Sequence, residues 1–259
     1  MIVLCQEFNG TSEYIFKWYT IQTKVKEESL TDWLLYNLSL KLPIFKYQPF
    51  TRYQENKITG ADFEFWILGR EKNFAMRIQA KKLNKDIRYN HYGAVAYPEK
   101  TKKQINLLIS SSISSSSGGL TFRPFYLFYN NGFNKSQCQR INSGMLITDA
   151  KEIVSKYLTG KRIKILRKNI LNISIPFECL FCCPLSDYNS STLDGIRNIL
   201  SSYFPSDNET NNLGFNQDIP NYIQDLVNPE ITEDFWIENY QNELIDTVDC
   251  VAVLDLRKY

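Results

Sequence analysis

Two short runs of alternating polar and apolar residues, joined by a tight charged turn, constrain this chain more than any other feature. In the run 61–68, Asp62 and Glu64 alternate with phenylalanines, and a second run follows at 74–83. Alternation with a period of two is typical of β-strands, and the short turn 69–73 predicts that the two strands pair as a hairpin. Any fold for this chain must accommodate that hairpin.

Predicted helices and strands alternate along the rest of the chain. We predict helices over 26–42, 99–109, 149–158, 191–204 and 235–245. Outside the hairpin, we predict strands over 44–53, 125–129, 144–147 and 250–256. The serine-rich stretch 110–119 and the polar stretch 205–217 are predicted loops, and 12–20 fits either a helix or a strand. This order predicts an α/β fold, a mixed sheet flanked by helices, with a core at 1–131 and a C-terminal α/β extension at 132–259 packed on it.

The hairpin carries a set of polar side chains suited to phosphodiester chemistry. Asp62 and Glu64 share one strand face, Gln79 and Lys81 share a face of the partner strand, and Glu28 begins the preceding helix. Carboxylate and amide oxygens suit Mg²⁺, which activates water and offsets charge on a phosphate. A lysine can position the attacking water or stabilise the transition state. The simpler alternative is a hairpin that turns a polar face to solvent.

The apolar residues of the second strand and the glycine before the first argue for the site. Met76, Ile78 and Ala80 lie on the other face of their strand, as in a core strand. Gly60 would let a ligand approach the start of the first strand closely.

In combination, these motifs resemble the PD-(D/E)XK superfamily of restriction-endonuclease-like nucleases. The segments ITGADFEFWI and MRIQAKKL, the helix with Gln104 and the segment PFYLFYN are similar to a prokaryotic family of such proteins with a GADxEWW…RxQAKxL pattern. The Gln-x-Lys spacing is typical of the Mrr-like branch. The resemblance covers about residues 26–131 and implies a restriction-endonuclease-like fold.

The resemblance also implies residue roles. It makes Mg²⁺, or Mn²⁺, the cofactor, with Glu28, Asp62 and Gln79 as metal ligands. The implied catalytic set is Glu28, Asp62, Glu64, Gln79, Lys81 and Gln104. Two departures from the commonest pattern stand out: position 79 is not an acid, and Glu64 fits either a metal ligand or a supporting strand residue. We favour Asp62 as the ligand.

The activity implied by the resemblance is Mg²⁺-dependent hydrolysis of nucleic acid, by a DNA endonuclease in prokaryotic defence or DNA processing. An RNase or single-strand nuclease on the same fold stays open, as does an inactive nuclease-fold binding protein. The complete set of site residues argues against the inactive alternative. The expected protein partner is a second copy of the chain or a protein of a defence system.

Basic residues after the motif are candidates for contacts with the phosphate backbone. They are Lys82, Lys85, Arg88, Lys100, Lys102 and Lys103, with a second basic stretch at 161–168. Such contacts position nucleic acid without reading its sequence. Charged runs of this kind are equally typical of solvated surfaces.

The charge is unevenly distributed. Residues 205–259 hold 12 acidic and two basic residues, against totals of 28 and 30 in the whole chain. A basic body is compatible with a polyanionic partner, and we predict that the acidic segment packs on that body and modulates access to it.

The numbers of histidines and cysteines exclude several kinds of catalytic and metal site. The single histidine, His91, excludes mechanisms that need two histidines, and no nucleophile elbow lies near it for a serine triad. Six cysteines are too few for a disulfide scaffold. We interpret Cys179, Cys182 and Cys183 as buried cysteines of a strand, because a zinc site would need two further ligands.

The sequence predicts a cytoplasmic protein without a membrane partner. Its first ten residues lack the basic region and long apolar stretch of a signal peptide, and its apolar stretches are shorter than the ~20 residues of a membrane span.

Overall fold

A computed structural model describes residues 2–50, 58–85, 90–92, 100–113, 119–138, 140–157, 165–183, 192–205 and 212–258. The helices are α1 Ile2–Ile21, α2 Glu27–Lys41, α3 Lys100–Ile113, α4 Ala150–Tyr157, α5 Arg167–Leu171, α6 Cys179–Cys182, α7 Thr192–Tyr203, α8 Asn221–Val227 and α9 Glu233–Leu244. The strands are β1 Phe45–Pro49, β2 Phe63–Leu68, β3 Asn73–Lys85, β4 Asn90–Tyr92, β5 Arg123–Tyr129, β6 Met145–Asp149, β7 Ile165–Leu166, β8 Ile175–Pro176, β9 Phe215–Asn216 and β10 Cys250–Asp255.

The α/β class is confirmed. The described strands form one ten-stranded mixed sheet, with the order β1-β10-β2-β3-β5-β6-β8 along its main path. The predicted hairpin is present, since β2 and β3 are antiparallel and Glu64 lies opposite Arg77. β5 continues the sheet in parallel with β3 and places Tyr126 beside Gln79. β2, β5 and β6 are buried along their whole lengths, which puts the core on both faces of the sheet.

The last strand lies inside the sheet rather than at its edge. β10 pairs in parallel with β2 and antiparallel with β1. β6, β8 and β10, which all follow residue 131, belong to the same sheet as the hairpin. The acidic segment docks through this strand and through Trp236, which is buried on α9.

Two local predictions differ from the structure, and one that was left open is resolved by it. Residues 110–113 continue α3 instead of beginning a loop, and their backbone bonds include Phe122 N–H to the Ser112 carbonyl. Cys179–Cys182 is a helical turn rather than part of a strand. The stretch 12–20, which fitted either element, belongs to the 20-residue helix α1.

No helix among the described residues is long and apolar enough to cross a membrane.

Candidate functional site

Asp62 lies directly before β2 and is anchored across the hairpin. Its backbone N–H donates to the Ile78 carbonyl at 2.8 Å. Its Oδ2 accepts from the Ala80 N–H at 2.7 Å and from Gln79 Nε2 at 2.6 Å. The carboxylate is therefore held in place by β3. Burial raises the pKa of Asp62, while the charge of Lys81 and the Ala80 N–H act in the opposite direction.

Gln79 connects Asp62 to helix α3. Its Oε1 accepts from Gln104 Nε2 at 2.5 Å, while its Nε2 faces the Asp62 carboxylate, which can only accept when ionised. The predicted convergence of Asp62, Gln79 and Gln104 is thus present. The metal role predicted for Gln79 is not supported by this arrangement, because its only metal-binding atom faces Gln104 rather than Asp62.

Gly60 permits this contact between α3 and the hairpin. A Cβ at Gly60 would lie 2.5 Å from the Gln104 carbonyl oxygen and 3.0 Å from the Leu108 nitrogen. The φ angle of Gly60 is +70°, a left-handed conformation that favours glycine. The close approach that we expected of a ligand at this glycine is made by the backbone of α3.

Lys81 contacts Glu27, the residue before Glu28, which is the predicted metal ligand on this helix. Lys81 Nζ lies 3.4 Å from Glu27 Oε1, and Glu27 Oε2 accepts from the Lys82 N–H at 2.6 Å. Glu28 is exposed, because the next position on α2 is turned about 100° around the helix. Burial raises the pKa of Glu27, the charge of Lys81 lowers it, and the nearby Asp62 raises it further.

A cavity of about 350 Å³ opens beside these residues. Acidic side chains dominate its polar lining, which consists of Glu27, Glu28, Asp32, Asp62 and Asp249 together with Thr31 and Tyr47. Asp249 was missed by the sequence analysis. It precedes β10, its N–H donates to the Asp62 carbonyl at 2.7 Å, and its charge adds to the rise in the pKa of Asp62. No local sequence signal could have found it, because only the parallel pairing of β10 with β2 brings it here.

Tyr126 is a second residue that the sequence analysis missed. It is fully buried on β5, and its hydroxyl has no hydrogen-bond partner within the described residues. Burial raises its pKa, and the charges of Asp62 and Glu27 raise it further, which places the ring near both acids. A buried hydroxyl without a protein partner is uncommon and calls for a partner such as a water molecule, an ion or a substrate. The segment PFYLFY, once aligned with β3, was its only sequence signal.

Glu64 belongs to a structural network instead of the cavity. Arg77 Nε and Nη2 each lie 3.1 Å from Glu64 Oε1, and the Tyr222 hydroxyl donates to Oε2 at 2.8 Å. Trp66 Nε1 lies 3.4 Å from the same Oε2. Both carboxylate oxygens of Glu64 therefore accept hydrogen bonds from side chains of the protein. The catalytic role predicted for Glu64 is not supported, whereas its alternative as a supporting strand residue agrees with these contacts.

The predicted phosphate-binding residues are only partly described. Lys82 Nζ donates to the Val25 carbonyl at 2.7 Å. The side chains of Lys85, Lys100, Lys102 and Lys103, and the whole of Arg88 and 161–164, lie outside the described residues. From the second basic stretch, Arg167 Nη2 donates to the carbonyls of Asn131, Gly132 and Phe133, which is a structural use of its charge.

The carboxylate oxygens at the cavity are suitable ligands for a hard divalent cation. Within the described part of the chain, no three Asp, Glu, His or Cys side chains are arranged to hold a metal ion by themselves. Mg²⁺ is commonly bound by one or two carboxylates and completes its shell with water and substrate phosphate. Asp62, with Glu27 or Asp249, supplies that number. The charge of Asp62 raises the pKa of Glu27, and the charge of Asp249 raises the pKa of Asp62, so the site holds an excess of negative charge that a cation would offset.

Comparison with known proteins gives a family without a function. No curated protein and no solved structure matches the chain. One family does match, over residues 4–253, and its description is "Family of unknown function (DUF6615)". Since the match covers nearly all of its 259 residues, the chain belongs to this family of unknown function, DUF6615.

Proposed function

We propose that the protein is a Mg²⁺-dependent nuclease that hydrolyses phosphodiester bonds, with DNA as the preferred substrate. The observation that carries the proposal is the convergence of Asp62, Gln79, Lys81 and Glu27 beside an acidic cavity. Convergence of partly buried groups with perturbed pKa values at a concave site is typical of catalytic centres. The resemblance of the hairpin motifs to PD-(D/E)XK nucleases supports the same chemistry.

The charge of the cavity supports a need for a cation. Five of its lining residues are Asp or Glu. A phosphate group would be repelled by that field unless a divalent cation offsets it. Asp62 would hold the cation, with Glu27 or Asp249 as the second carboxylate. When bound, the cation would lower the pKa of a water molecule and neutralise developing charge on the phosphate.

In this proposal Lys81 stabilises the charge on the phosphate or orients the attacking water, and Glu27 accepts a proton. Lys81 is largely buried, and its ammonium lies 3.4 Å from Glu27. From that position Lys81 can donate to a phosphate oxygen or orient the attacking water. Glu27 accepts a proton more readily than an ordinary glutamate, because its pKa is raised by burial. Gln79 and Gln104 keep Asp62 oriented toward the cavity.

The test is incubation of the purified protein with plasmid DNA, single-stranded DNA and RNA, each with Mg²⁺, Mn²⁺ or EDTA. We expect cleavage of DNA with Mg²⁺ or Mn²⁺ and none with EDTA. Cleavage of RNA alone, or of single strands alone, would replace DNA endonuclease with one of the two other nuclease activities. Absence of cleavage of all three substrates in either metal would contradict the proposal and favour an inactive binding protein.

The defence setting of this activity rests on the resemblance alone. A role in prokaryotic defence, a cytoplasmic location, and a homodimer or defence partner remain predictions.

A further inference from the structure

Four cysteines from three distant segments meet around the short helix α6. Cys179 and Cys182 lie one turn apart on α6, and each has a cysteine from another segment as its neighbour. Cys182 is joined to Cys5 of α1 by a disulfide. The Cys179 sulfur lies 2.9 Å from the sulfur of Cys138, which is in the segment between β5 and β6. The first pair is bonded, and the second is a pair of free thiols.

The approach of Cys138 to Cys179 is held by the surrounding backbone. The N–H of Gln137 donates to the Ser174 carbonyl at 3.1 Å, and its side-chain amide donates to the Asn172 carbonyl at 2.8 Å. These bonds fix the residue before Cys138 against the chain that leads into α6. The sulfurs are already within about 1 Å of the roughly 2.05 Å of an S–S bond.

The two thiols differ in reactivity. Cys138 is partly exposed, whereas Cys179 is 1% exposed. The hydrogen bond between the two thiols lowers the pKa of Cys138 to about 6, and Tyr203 and Arg140 lower it further. The same hydrogen bond and burial raise the pKa of Cys179. Cys138 is therefore the more accessible thiol and the one with the lower pKa, and Cys179 is its buried neighbour, which is the arrangement of a sensing and a resolving cysteine.

We propose that Cys138 and Cys179 form a redox modification site, at which a hydroperoxide oxidises Cys138 and Cys179 closes a second disulfide. The Cys138 thiolate attacks the terminal oxygen of the hydroperoxide. The O–O bond breaks, a sulfenic acid forms on Cys138, and the departing alkoxide takes a proton and leaves as an alcohol. The Cys179 sulfur then attacks the Cys138 sulfur, the S–O bond breaks, and the hydroxide leaves as water with the proton of Cys179. Two thiols are oxidised to one disulfide while one hydroperoxide is reduced to alcohol and water.

The new bond would join the segment after β5 to α6, beside the existing link from α1. That segment also holds α1, because the Asn131 side chain donates to the Tyr19 carbonyl at 3.0 Å. Oxidation would therefore tie together three parts of the fold that are otherwise held by non-covalent contacts and one disulfide. We expect the unfolding temperature of the oxidised protein to rise by several degrees.

The test uses the full-length protein and needs no nuclease assay. Protein with free Cys138 and Cys179 is treated with one equivalent of hydrogen peroxide, and alkylated, non-reduced peptides are mapped by mass spectrometry. We expect a linked Cys138–Cys179 peptide and the loss of two free thiols. Cys138→Ser should slow peroxide consumption by at least about tenfold, while the matched control Cys250→Ser, at a buried cysteine outside the cluster, should not.

A second variant keeps the result interpretable if Cys138→Ser does not fold. Cys179→Ser removes the resolving thiol, so the sulfenic acid on Cys138 should persist and be captured by dimedone. Failure to capture it, together with no linked peptide in the unmodified protein, would overturn the proposal. So would stoichiometric zinc in the purified protein that is released when the thiols are blocked, because these four cysteines would then be metal ligands.

Discussion

Asp62 and Glu64 lie two residues apart at the start of β2, yet their surroundings differ in kind. Glu64 is 1% exposed and contacts the guanidinium of Arg77, with Tyr222 as an additional donor. Asp62 receives its hydrogen bonds from an amide and a backbone N–H, and it lines a cavity with four other acids. Glu64 forms an ion pair with Arg77, whereas the cation that acts on Asp62, Lys81, forms its ion pair with Glu27.

The comparison separates an acid that supports the structure from one that is suited to a ligand. A buried ion pair with satisfied donors contributes to the fold and leaves nothing for a substrate to use. A buried carboxylate with a raised pKa beside a cavity costs stability, and such groups are concentrated at functional sites. The predictions below test this distinction, from the largest expected effect to the smallest.

The largest effect is expected on activity at Asp62. Asp62→Asn keeps the shape of the side chain and removes the charge that would hold a cation. We expect nucleic acid cleavage with Mg²⁺ to fall on the order of 1,000-fold, with an unchanged circular dichroism spectrum. Initial rates on the best substrate measure it. A variant that is correctly folded and fully active would refute the assignment of Asp62.

The second effect is on stability at Glu64. Glu64→Gln leaves the charge of Arg77 buried without its partner, so we expect a loss of roughly 3–5 kcal/mol in the free energy of unfolding. Urea denaturation measures it. The double variant Glu64→Leu with Arg77→Met should recover much of the loss, because no unpaired charge remains. If Glu64→Gln is as stable as the original protein, the structural role fails.

A third acid, Glu178, shows the effect of burial on the pKa of a carboxyl group that lies outside the acidic cavity. Burial raises its pKa to about 7, although Arg140, Ser12 and Ser143 act in the opposite direction. Because the folded state holds the proton more tightly than the unfolded state, its contribution to stability is complete below pH 4.5 and is lost as the pH rises through 7. The Glu178→Gln variant should therefore gain stability relative to the original protein over that range, by on the order of 3 kcal/mol.

The measurement is the difference between the two free energies of unfolding at several pH values, since other acids titrate equally in both proteins. A difference that is constant from pH 4.5 to 8 would contradict the raised pKa of Glu178.

The smallest effect separates the neighbours Glu27 and Glu28. Glu27→Gln weakens the contact that positions Lys81, so we expect the rate of cleavage to fall by about tenfold or more. Glu28→Gln is the matched control: it lines the cavity but is exposed, and its effect should be smaller. Rates measured in the same series decide between them. A larger loss at Glu28 would restore the original prediction from the sequence.

Local pattern was enough to predict the hairpin and part of the site. Alternation in two adjacent runs predicted the strand pair that carries Asp62, Gln79 and Lys81, and the separately predicted helix at 99–109 included Gln104. The choice between Glu27 and Glu28 could not be predicted, because one position changes the direction of a helical side chain by about 100°. Sequence alone also cannot reveal which helix face packs on β3.

Long-range pairing accounts for the other differences. Asp249 reaches the cavity because β10 inserts between β1 and β2, and nothing in its local sequence specifies those neighbours. The partners of Glu64 have the same origin, because Tyr222 is distant in the chain and close only after the acidic segment docks. The meeting of Cys138 with Cys179 likewise depends on how the segments between strands pack.

The most direct test of the central claim is divalent cation binding in the absence of nucleic acid. Mn²⁺ can be titrated into the original protein, Asp62→Asn and Glu64→Gln, with the free ion followed by electron paramagnetic resonance. We predict saturable binding by the original protein and by folded Glu64→Gln with similar affinity, and its loss in Asp62→Asn. Equal binding by Asp62→Asn, or loss of binding in folded Glu64→Gln alone, would contradict the distinction between the two acids.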